Sequence, residues 1–339
     1  MDNDHNPLNV KVSHEDLRSM YRDDMITEQQ YKEALHFSGI IPDKHHWRSF
    51  LQVLLSSLGT VFLLTGILFF FAFNWADMTK WQKFAGIEIF IIFAAIFAWI
   101  KGPDKLSGKL GTLAAGTLIG VLMAVYGQIY QTGADPYELF MYWGIILLPL
   151  VVAVRLPAFW VMWLVIVNLA ISLYVKQGLG GGVYLEYTPH FLVALNLIFL
   201  AIWNIMQSRQ IAWMQEPWTH WVVAIACLVA ATIMAAIAID HISRGWANHK
   251  IYNSLSTLLY IFVAGGFVYF YQFVKRDLFI LSLVITSVCI LSFVMYFELN
   301  IGYSNFRSQL LIVAIMVLGE ATAAAMWLRR THLNWSVHS

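Results

Sequence analysis

The chain has 339 residues, of which 59% are hydrophobic and 12% are charged. An average soluble domain has about 25% charged residues, so this composition excludes an ordinary water-soluble protein. The formal net charge of +1 gives no reason to expect a nucleic-acid partner or an acidic substrate. Cys227 and Cys289 lie inside apolar runs, which indicates packed thiols rather than a disulfide or a metal site.

Two short helices are predicted near the N-terminus. Ser13 and Thr27 each precede an acidic or amide residue by three positions, a spacing that is typical of helix N-caps. The second helix is expected over residues 28–37. A hairpin of this size is too small for a core of its own. We therefore expect residues 13–41 to bind a cytoplasmic protein partner or to pack on the rest of the chain.

Apolar runs of about 18 residues or more, each long enough to cross a hydrocarbon core of about 30 Å, recur along the chain. They predict an all-α, polytopic transmembrane helix bundle of about ten spans over residues 49–329, between a cytoplasmic segment of residues 1–48 and a tail of residues 330–339. Only Arg155 and Leu156 separate the fourth and fifth spans. One broken crossing is the alternative, and it would give nine spans. The predicted spans are 51–73, 84–100, 110–130, 139–154, 157–175, 190–206, 218–239, 255–274, 278–297 and 309–328.

The distribution of basic residues predicts the orientation. The N-terminal segment, the even-numbered loops and the C-terminal tail together hold 15 of the 21 Lys and Arg residues. Cytoplasmic segments carry the excess of these residues in membrane proteins. Both termini are therefore expected on the cytoplasmic side, and the odd-numbered loops on the outer side.

Polar residues inside the predicted spans are candidates for function. An ionised carboxylate at mid-bilayer costs at least about 2.5–3.5 kcal/mol, so each one needs a partner, a proton or water. Glu320 lies closest to the midplane, whereas most of the others lie in the outer half. This pattern favours a polar cavity that opens to the periplasm. The alternative is that the amides form interhelical hydrogen bonds and the terminal carboxylates face lipid headgroups.

Two outer segments add to this set. Asn74 and Trp75 end the first span, and Gln131 and Asp135 follow the third in a segment of glycines and hydrogen-bonding side chains. Polar backbone of this kind at membrane depth must be buried in protein or line water. The predicted ligand or ion pathway comprises Glu320, Glu88, Gln128, Tyr126, Asn168, Asn196, Asn74, Trp75, Gln131 and Asp135.

No catalytic residue, metal ligand or cofactor is predicted. The sequence contains no Walker-type glycine loop, no His-Glu-x-x-His and no Cys-x-x-Cys. His241 and His249 are expected to share an outer loop. They lack a cysteine or carboxylate at ligand spacing, so they are interpreted as facing solvent.

Some of these motifs resemble a known family. Phe73-Asn74-Trp75 and the run Gly-Gln-Ile-Tyr-Gln-Thr-Gly-Ala-Asp at residues 127–135, with Leu139-Phe140 and Trp143 beyond it, look like the predicted membrane protein family catalogued as domain of unknown function 2157. The resemblance covers roughly residues 10–160. It implies a bacterial inner-membrane protein, and it carries no established activity and no catalytic residue.

Three hypotheses follow for the function. The first is a transporter or channel-like protein in which Glu320 couples ions and the amides line the path. The second is a sensor or assembly protein whose outer site binds a lipid or small molecule while the N-terminal hairpin binds a protein partner. The third is an enzyme at the outer leaflet that uses Asp135, Glu298 or Asp240 as acid or base. Membrane lipids surround the chain in all three.

Overall fold

The computed structural model describes residues 14–38, 41, 44–131, 133, 135–179, 186–245, 250–299 and 306–337, and these ranges contain helices but no strand. A 3-10 turn covers Ala212–Met214, and a π-helical turn over Phe270–Val274 continues α10. The α-helices are α1 (His14–Arg22), α2 (Glu28–Phe37), α3 (Lys44–Phe73), α4 (Lys80–Lys101), α5 (Leu106–Tyr130), α6 (Pro136–Val154), α7 (Pro157–Gln177), α8 (Thr188–Ser208), α9 (Pro217–Ser243), α10 (Lys250–Tyr269), α11 (Leu278–Leu299) and α12 (Phe306–Val337).

The described residues include ten helices, α3 to α12, that are long and apolar enough to cross a bilayer. Their outward surfaces carry large apolar side chains. Phe62 on α3 is 70% exposed and Phe262 on α10 is 73% exposed. Lipid accepts such a surface and water does not. The chain is therefore an integral, multi-pass membrane protein, and the predicted all-α bundle of ten spans is confirmed.

The fourth and fifth predicted spans are two separate helices. Arg155 ends α6 in the left-handed conformation (φ 53°), and Pro157 begins α7 as its first residue, a position that suits its fixed φ and missing N–H. The two helices pack as a hairpin, in which Trp163 Nε1 donates to the Gly144 carbonyl at 2.8 Å. The tight hairpin is confirmed, and the single broken crossing is wrong.

The chain divides into two compact units, the first of residues 1–83 and 92–114 and the second of residues 84–91 and 115–339. In the first unit, α1 and α2 form the predicted hairpin. The Thr27 side chain accepts from the Gln30 backbone N–H at 3.3 Å, and the Gln30 side chain accepts from the Thr27 N–H at 2.9 Å. Leu17 and Leu35 are buried in the hairpin. The predicted bounds of α2 are confirmed, whereas the first predicted cap, Ser13, lies outside the described residues.

In the second unit, α9 is the central helix. It packs against α8, α10 and α11, and more than half of its apolar span is buried. Its alanines and Cys227 allow the neighbouring helices to approach closely. Side chains from α9 and its neighbours form one continuous core that includes Leu164, Val193, Leu200, Val223, Ala224, Cys227, Ala231, Val263, Ile280 and Val284.

All ten membrane helices extend beyond their predicted spans at one or both ends, as three of them illustrate. The helix α9 continues past residue 239 to Ser243, α10 begins at Lys250 rather than residue 255, and α12 continues past residue 328 to Val337. Hydropathy marks where the lipid-facing run stops, but backbone hydrogen bonding continues into the polar interface. The ion pair between Asp240 and Arg244, one turn apart, supports the extension of α9.

Candidate functional site: a carboxylate-lined cavity

A cavity of about 830 Å³ lies within the second unit, between the part of α4 at residues 84–88, the C-terminal half of α5 and the first turns of α6. Its apolar walls include Phe84, Leu122, Met123, Leu139 and Phe140. The polar side chains that line it are Glu88, Tyr126, Gln128, Gln131, Asp135, Glu138 and Tyr142.

The described residues of the connection between α5 and α6 contribute to the cavity lining. Gln131 and Gly133 both have positive φ, 44° and 66°, so the chain turns sharply where α5 ends. Asp135 then caps α6, and its carbonyl accepts from the Glu138 N–H at 3.0 Å. Pro136 is the first helical residue. The helix dipole stabilises the Glu138 carboxylate in the first turn.

Aromatic rings form one side of the cavity. The Phe84 ring lies 6.0 Å from the Tyr130 ring and 6.3 Å from the Tyr126 ring, between centroids, and the two tyrosine rings are 4.8 Å apart. These contacts join α4 to the last turns of α5. Phe84 and Tyr126 share the cavity lining with the carboxylates, and this combination of groups attracts organic cations.

Five of the ten predicted site residues line this one cavity: Glu88, Tyr126, Gln128, Gln131 and Asp135. Glu138 and Tyr142 also line the cavity but were not predicted. The predicted fourth span begins at residue 139, so Glu138 was assigned to the loop. The signal for Glu138 was present, because it lies three residues after Asp135, on the first turn of a helix that begins with proline.

Asn168 and Asn196 do not line the cavity. They join α7 to α8, where Asn196 Nδ2 donates to Asn168 Oδ1 at 2.7 Å and Asn168 Nδ2 donates to Asn196 Oδ1 at 3.4 Å. Each amide also donates to a carbonyl one turn back on its own helix at 2.8 Å. Asn196 is 1% exposed. The hydrogen-bonding capacity of this pair is used within the protein.

Glu320 lies at a third place, between α11 and α12. Ser292 Oγ donates to its Oε1 atom, and the Cys289 thiol lies beside it. Its Oε2 atom is buried and has no hydrogen-bond partner within the described residues. Glu320, the asparagine pair and the cavity are therefore three separate polar places in the second unit.

Asn74 and Trp75 belong to the first unit. Asn74 Nδ2 donates to the Phe70 carbonyl at 2.8 Å, which caps the last turn of α3. The Lys83 ammonium lies 4.1 Å from the centre of the Trp75 ring, a cation–π distance. Both side chains thus have local roles where α3 ends and α4 begins.

The other two carboxylates of the enzyme hypothesis have partners of their own. Asp240 pairs with Arg244 at 2.6 Å, and Glu298 accepts from Ser243 Oγ at 2.9 Å. Asp135, the third candidate acid or base, lines the cavity instead. The described residues thus do not bring these three carboxylates together as an acid–base pair.

His241 is buried, so the prediction that it faces solvent is wrong. It is 3% exposed because α9 continues through it into the contact with α10. Its Nδ1 atom lies 3.3 Å from Asn253 Oδ1, and its Nε2 atom lies 3.7 Å from Glu186 Oε1. His249 lies outside the described residues. Within the described residues no three His, Cys, Asp or Glu side chains are arranged to hold a metal ion.

A further polar cluster at the opposite ends of the helices was not predicted. Asp277 lies between α10 and α11 and accepts from Trp221 Nε1 at 2.8 Å. Burial raises the pKa of Asp277, but hydrogen bonds from His220, Trp221 and the Ile280 backbone outweigh this effect and lower the pKa to about 2. The carboxylate is therefore ionised at neutral pH. No local pattern links His220 to Asp277, since they are 57 residues apart.

Residues 19–160 match the model of the family described as "Predicted membrane protein (DUF2157)". The predicted resemblance is confirmed over this range. The matched segment contains every residue of the cavity lining, from Phe84 to Tyr142. No curated protein and no solved structure matches the chain.

Proposed function

We propose that this integral membrane protein binds a cationic amphiphile in the cavity between α4, α5 and α6. The observation that carries the proposal is the composition of the lining. Glu88, Asp135 and Glu138 contribute three carboxylates, and no Lys, Arg or His is among the described residues of the wall. Most of the remaining wall is apolar or aromatic.

The chemistry of this lining selects for charge and shape together. Carboxylates near a low-dielectric surface attract a cation more strongly than they would in water, and the faces of Phe84 and Tyr126 add cation–π attraction. The apolar wall accepts a hydrocarbon group, as ligand cavities with a few placed polar groups commonly do. An anionic or zwitterionic ligand would bring its negative charge close to three others.

The positive-inside bias supports a periplasmic position for the cavity, since it places the loop between α5 and α6 on the outer side. Together with the family resemblance, the bias supports a bacterial inner membrane with both termini in the cytoplasm. The ligand would then enter from the outer leaflet or from the periplasm.

A binding titration tests the proposal. The protein in lipid nanodiscs is titrated with octyltrimethylammonium and with octyl sulfate, with empty nanodiscs as background. We expect saturable binding of the cation only. Glu88→Gln and Asp135→Asn should each weaken it about fivefold, the factor for roughly 1 kcal/mol of Coulomb energy. Glu298→Gln removes an outer carboxylate that does not line the cavity, and it should change nothing. Equal binding of both probes would contradict the proposal.

Glu320 supports a second candidate function, the coupling of a proton to transport. A half-buried carboxylate inside a span, with one buried oxygen unpartnered in the described residues, is costly unless it is protonated or used. The test uses proteoliposomes that contain a pH-sensitive dye. A gradient of octyltrimethylammonium should drive proton movement across the membrane, and so change the dye signal, when the liposomes contain the wild type but not when they contain Glu320→Gln. Glu298→Gln is the matched control. If protons moved equally fast in liposomes without protein and in liposomes with the wild type, the result would contradict transport by this protein.

The N-terminal hairpin supports a signalling role for the same cavity. Phe37 is 97% exposed and Met25 is 66% exposed, and residues 13–41 would present both to a cytoplasmic protein. Deletion of residues 1–45 tests this. Loss of function in cells with unchanged membrane insertion and unchanged octyltrimethylammonium binding favours the partner, whereas retained function argues against it.

A further inference from the structure

A second groove, of about 620 Å³, lies between α8 and α10 in the second unit. The helix α9 packs against both of these helices, and the groove lies between their lipid-facing sides. Along most of its length the lining is apolar or aromatic. The apolar lining residues are Leu197, Leu200, Ala201, Ile205, Phe262, Val263, Gly266, Phe267, Phe270 and Val274.

One end of the groove is polar. Asn204, Ser208, Tyr271 and Lys275 lie there. The Tyr271 hydroxyl and the Asn204 amide oxygen are both buried, and the two side chains lie beside one another. Lys275 Nζ donates to Gln207 Oε1. The polar end therefore holds one ammonium group, which has donors beyond the one that Gln207 accepts, next to a buried hydroxyl and amide.

The ends of the helices that form the groove indicate where its polar end lies in the membrane. Ser208 is the last residue of α8, and Val274 is the last residue of the π-helical turn that continues α10. Lys275 thus lies where two neighbouring spans leave the hydrocarbon region. The apolar part of the groove extends from there into the membrane, towards Phe262.

The charge at this end is unbalanced. The Asp277 carboxylate interacts with Lys275 electrostatically, but it already binds His220, Trp221 and the backbone N–H groups of Phe279 and Ile280. No acidic residue is among the described lining of the groove. Burial lowers the pKa of the Lys275 ammonium, and Asp277 offsets part of this effect. A bound anion would stabilise the charged form.

We propose that this groove is a binding site for an anionic phospholipid, whose phosphate contacts Lys275 and whose acyl chain lies along Gly266. The amphipathic order of the groove, charged at the interface and apolar towards the membrane centre, matches a phospholipid and not a soluble anion. Basic pockets between spans bind lipid phosphates in this manner. The site lies apart from the cavity of the proposed function and does not depend on it.

Gly266 and Gly265 provide a matched pair of variants. A Cβ atom at either position would meet no atom within 4 Å, so both positions have open space where a side chain would begin. Only Gly266 lines the groove. Gly266→Leu should fill it, whereas Gly265→Leu adds the same apolar side chain to the same helix outside it.

Native mass spectrometry of the detergent-purified protein measures the binding. We expect phosphatidylglycerol to remain bound and phosphatidylcholine to dissociate. Lys275→Gln should weaken phosphatidylglycerol binding about fivefold, the loss for one basic contact. Gly266→Leu should weaken it about tenfold, the factor for roughly two methylene groups that lose their site. Gly265→Leu and Lys275→Arg should bind like the wild type.

Three results would overturn the proposal. The first is equal retention of both lipids by the wild type. The second is an equal loss with Arg276→Gln, which removes the exposed neighbouring charge, because this would indicate general surface attraction. The third is competition by glycerol phosphate at the concentration at which the lipid itself competes, since this would identify a soluble phosphate compound as the occupant. Melting temperatures of all variants confirm that folding is retained.

Discussion

His220 Nε2 lies 3.2 Å from Asp277 Oδ2, and Trp221 Nε1 donates to the same oxygen at 2.8 Å. The other carboxylate oxygen, Oδ1, accepts from the backbone N–H groups of Phe279 and Ile280 at 2.9 and 3.2 Å. One side chain therefore accepts from two backbone N–H groups in the first turn of α11 and joins that helix to the start of α9.

Asp277→Asn should destabilise the protein by about 2 kcal/mol at pH 7, because the pKa of Asp277 is lowered in the folded state from 3.8 to about 2. A lowered folded-state pKa stabilises the protein above the unfolded-state pKa, and this stabilisation is lost as the pH falls towards 2. The difference in melting temperature between the wild type and Asp277→Asn should therefore be constant down to about pH 4 and shrink below it. Intrinsic fluorescence in detergent measures it.

Asp240→Asn is the control for that experiment. Asp240 is also bound to a basic side chain, Arg244, at the end of a helix, but the pair is on the surface. An exposed pair contributes about 0–1 kcal/mol. If Asp240→Asn lowered the melting temperature as much as Asp277→Asn, with the same dependence on pH, the effect would come from the loss of a negative charge in general and not from the buried pair.

Local sequence patterns predicted the spans, and they singled out five of the seven polar side chains that line the cavity, for a physical reason. Hydropathy identifies the lipid-facing run of each helix, which is why it predicted the spans. Residues 126–135 are close enough in sequence to form one lining together. Glu88 was grouped with them because its predicted depth in the membrane is similar to theirs. The contacts of His220 with Asp277 and of Asn168 with Asn196 depend on which helices pack together, and hydropathy does not contain that information. His241 was misplaced because an apolar run ends before its helix does.

Asn168 and Asn196 should behave as a packing pair. Asn168→Ala and Asn196→Ala each leave an amide unpaired between α7 and α8, so each should lower the free energy of unfolding by about 1 kcal/mol. The double variant should cost less than the sum, with a coupling of roughly 0.6 kcal/mol. Unfolding in mixed micelles measures the cycle, and Ser172→Ala is the control. Strict additivity would contradict the pairing.

The orientation is tested by cysteine labelling in intact cells. In a background without Cys227 and Cys289, Lys176→Cys at the end of α7 should react with a membrane-impermeant maleimide, since the positive-inside bias puts it outside. Arg209→Cys after α8 should react only after the cells are permeabilised. Both side chains are exposed, so burial does not confound the comparison. The reverse pattern would put both termini outside.

Gly120→Ala should be strongly destabilising, because Trp143 occupies the space of its missing side chain. A Cβ atom at Gly120 would lie 2.3 Å from the Trp143 ring, which is held by a 2.9 Å hydrogen bond from its Nε1 to the Gly116 carbonyl. Overpacking of this kind costs typically about 1–3 kcal/mol.

Gly66→Ala is the matched change on α3, where a Cβ atom would meet nothing within 4 Å. It should stabilise the protein by up to about 1 kcal/mol, since alanine is the better helix former. The two variants should therefore shift the melting temperature in opposite directions. A neutral Gly120→Ala beside a stabilising Gly66→Ala would contradict this prediction. It would show that α5 and α6 have room to separate, and that the contact of Trp143 with α5 does not hold these two cavity-forming helices together.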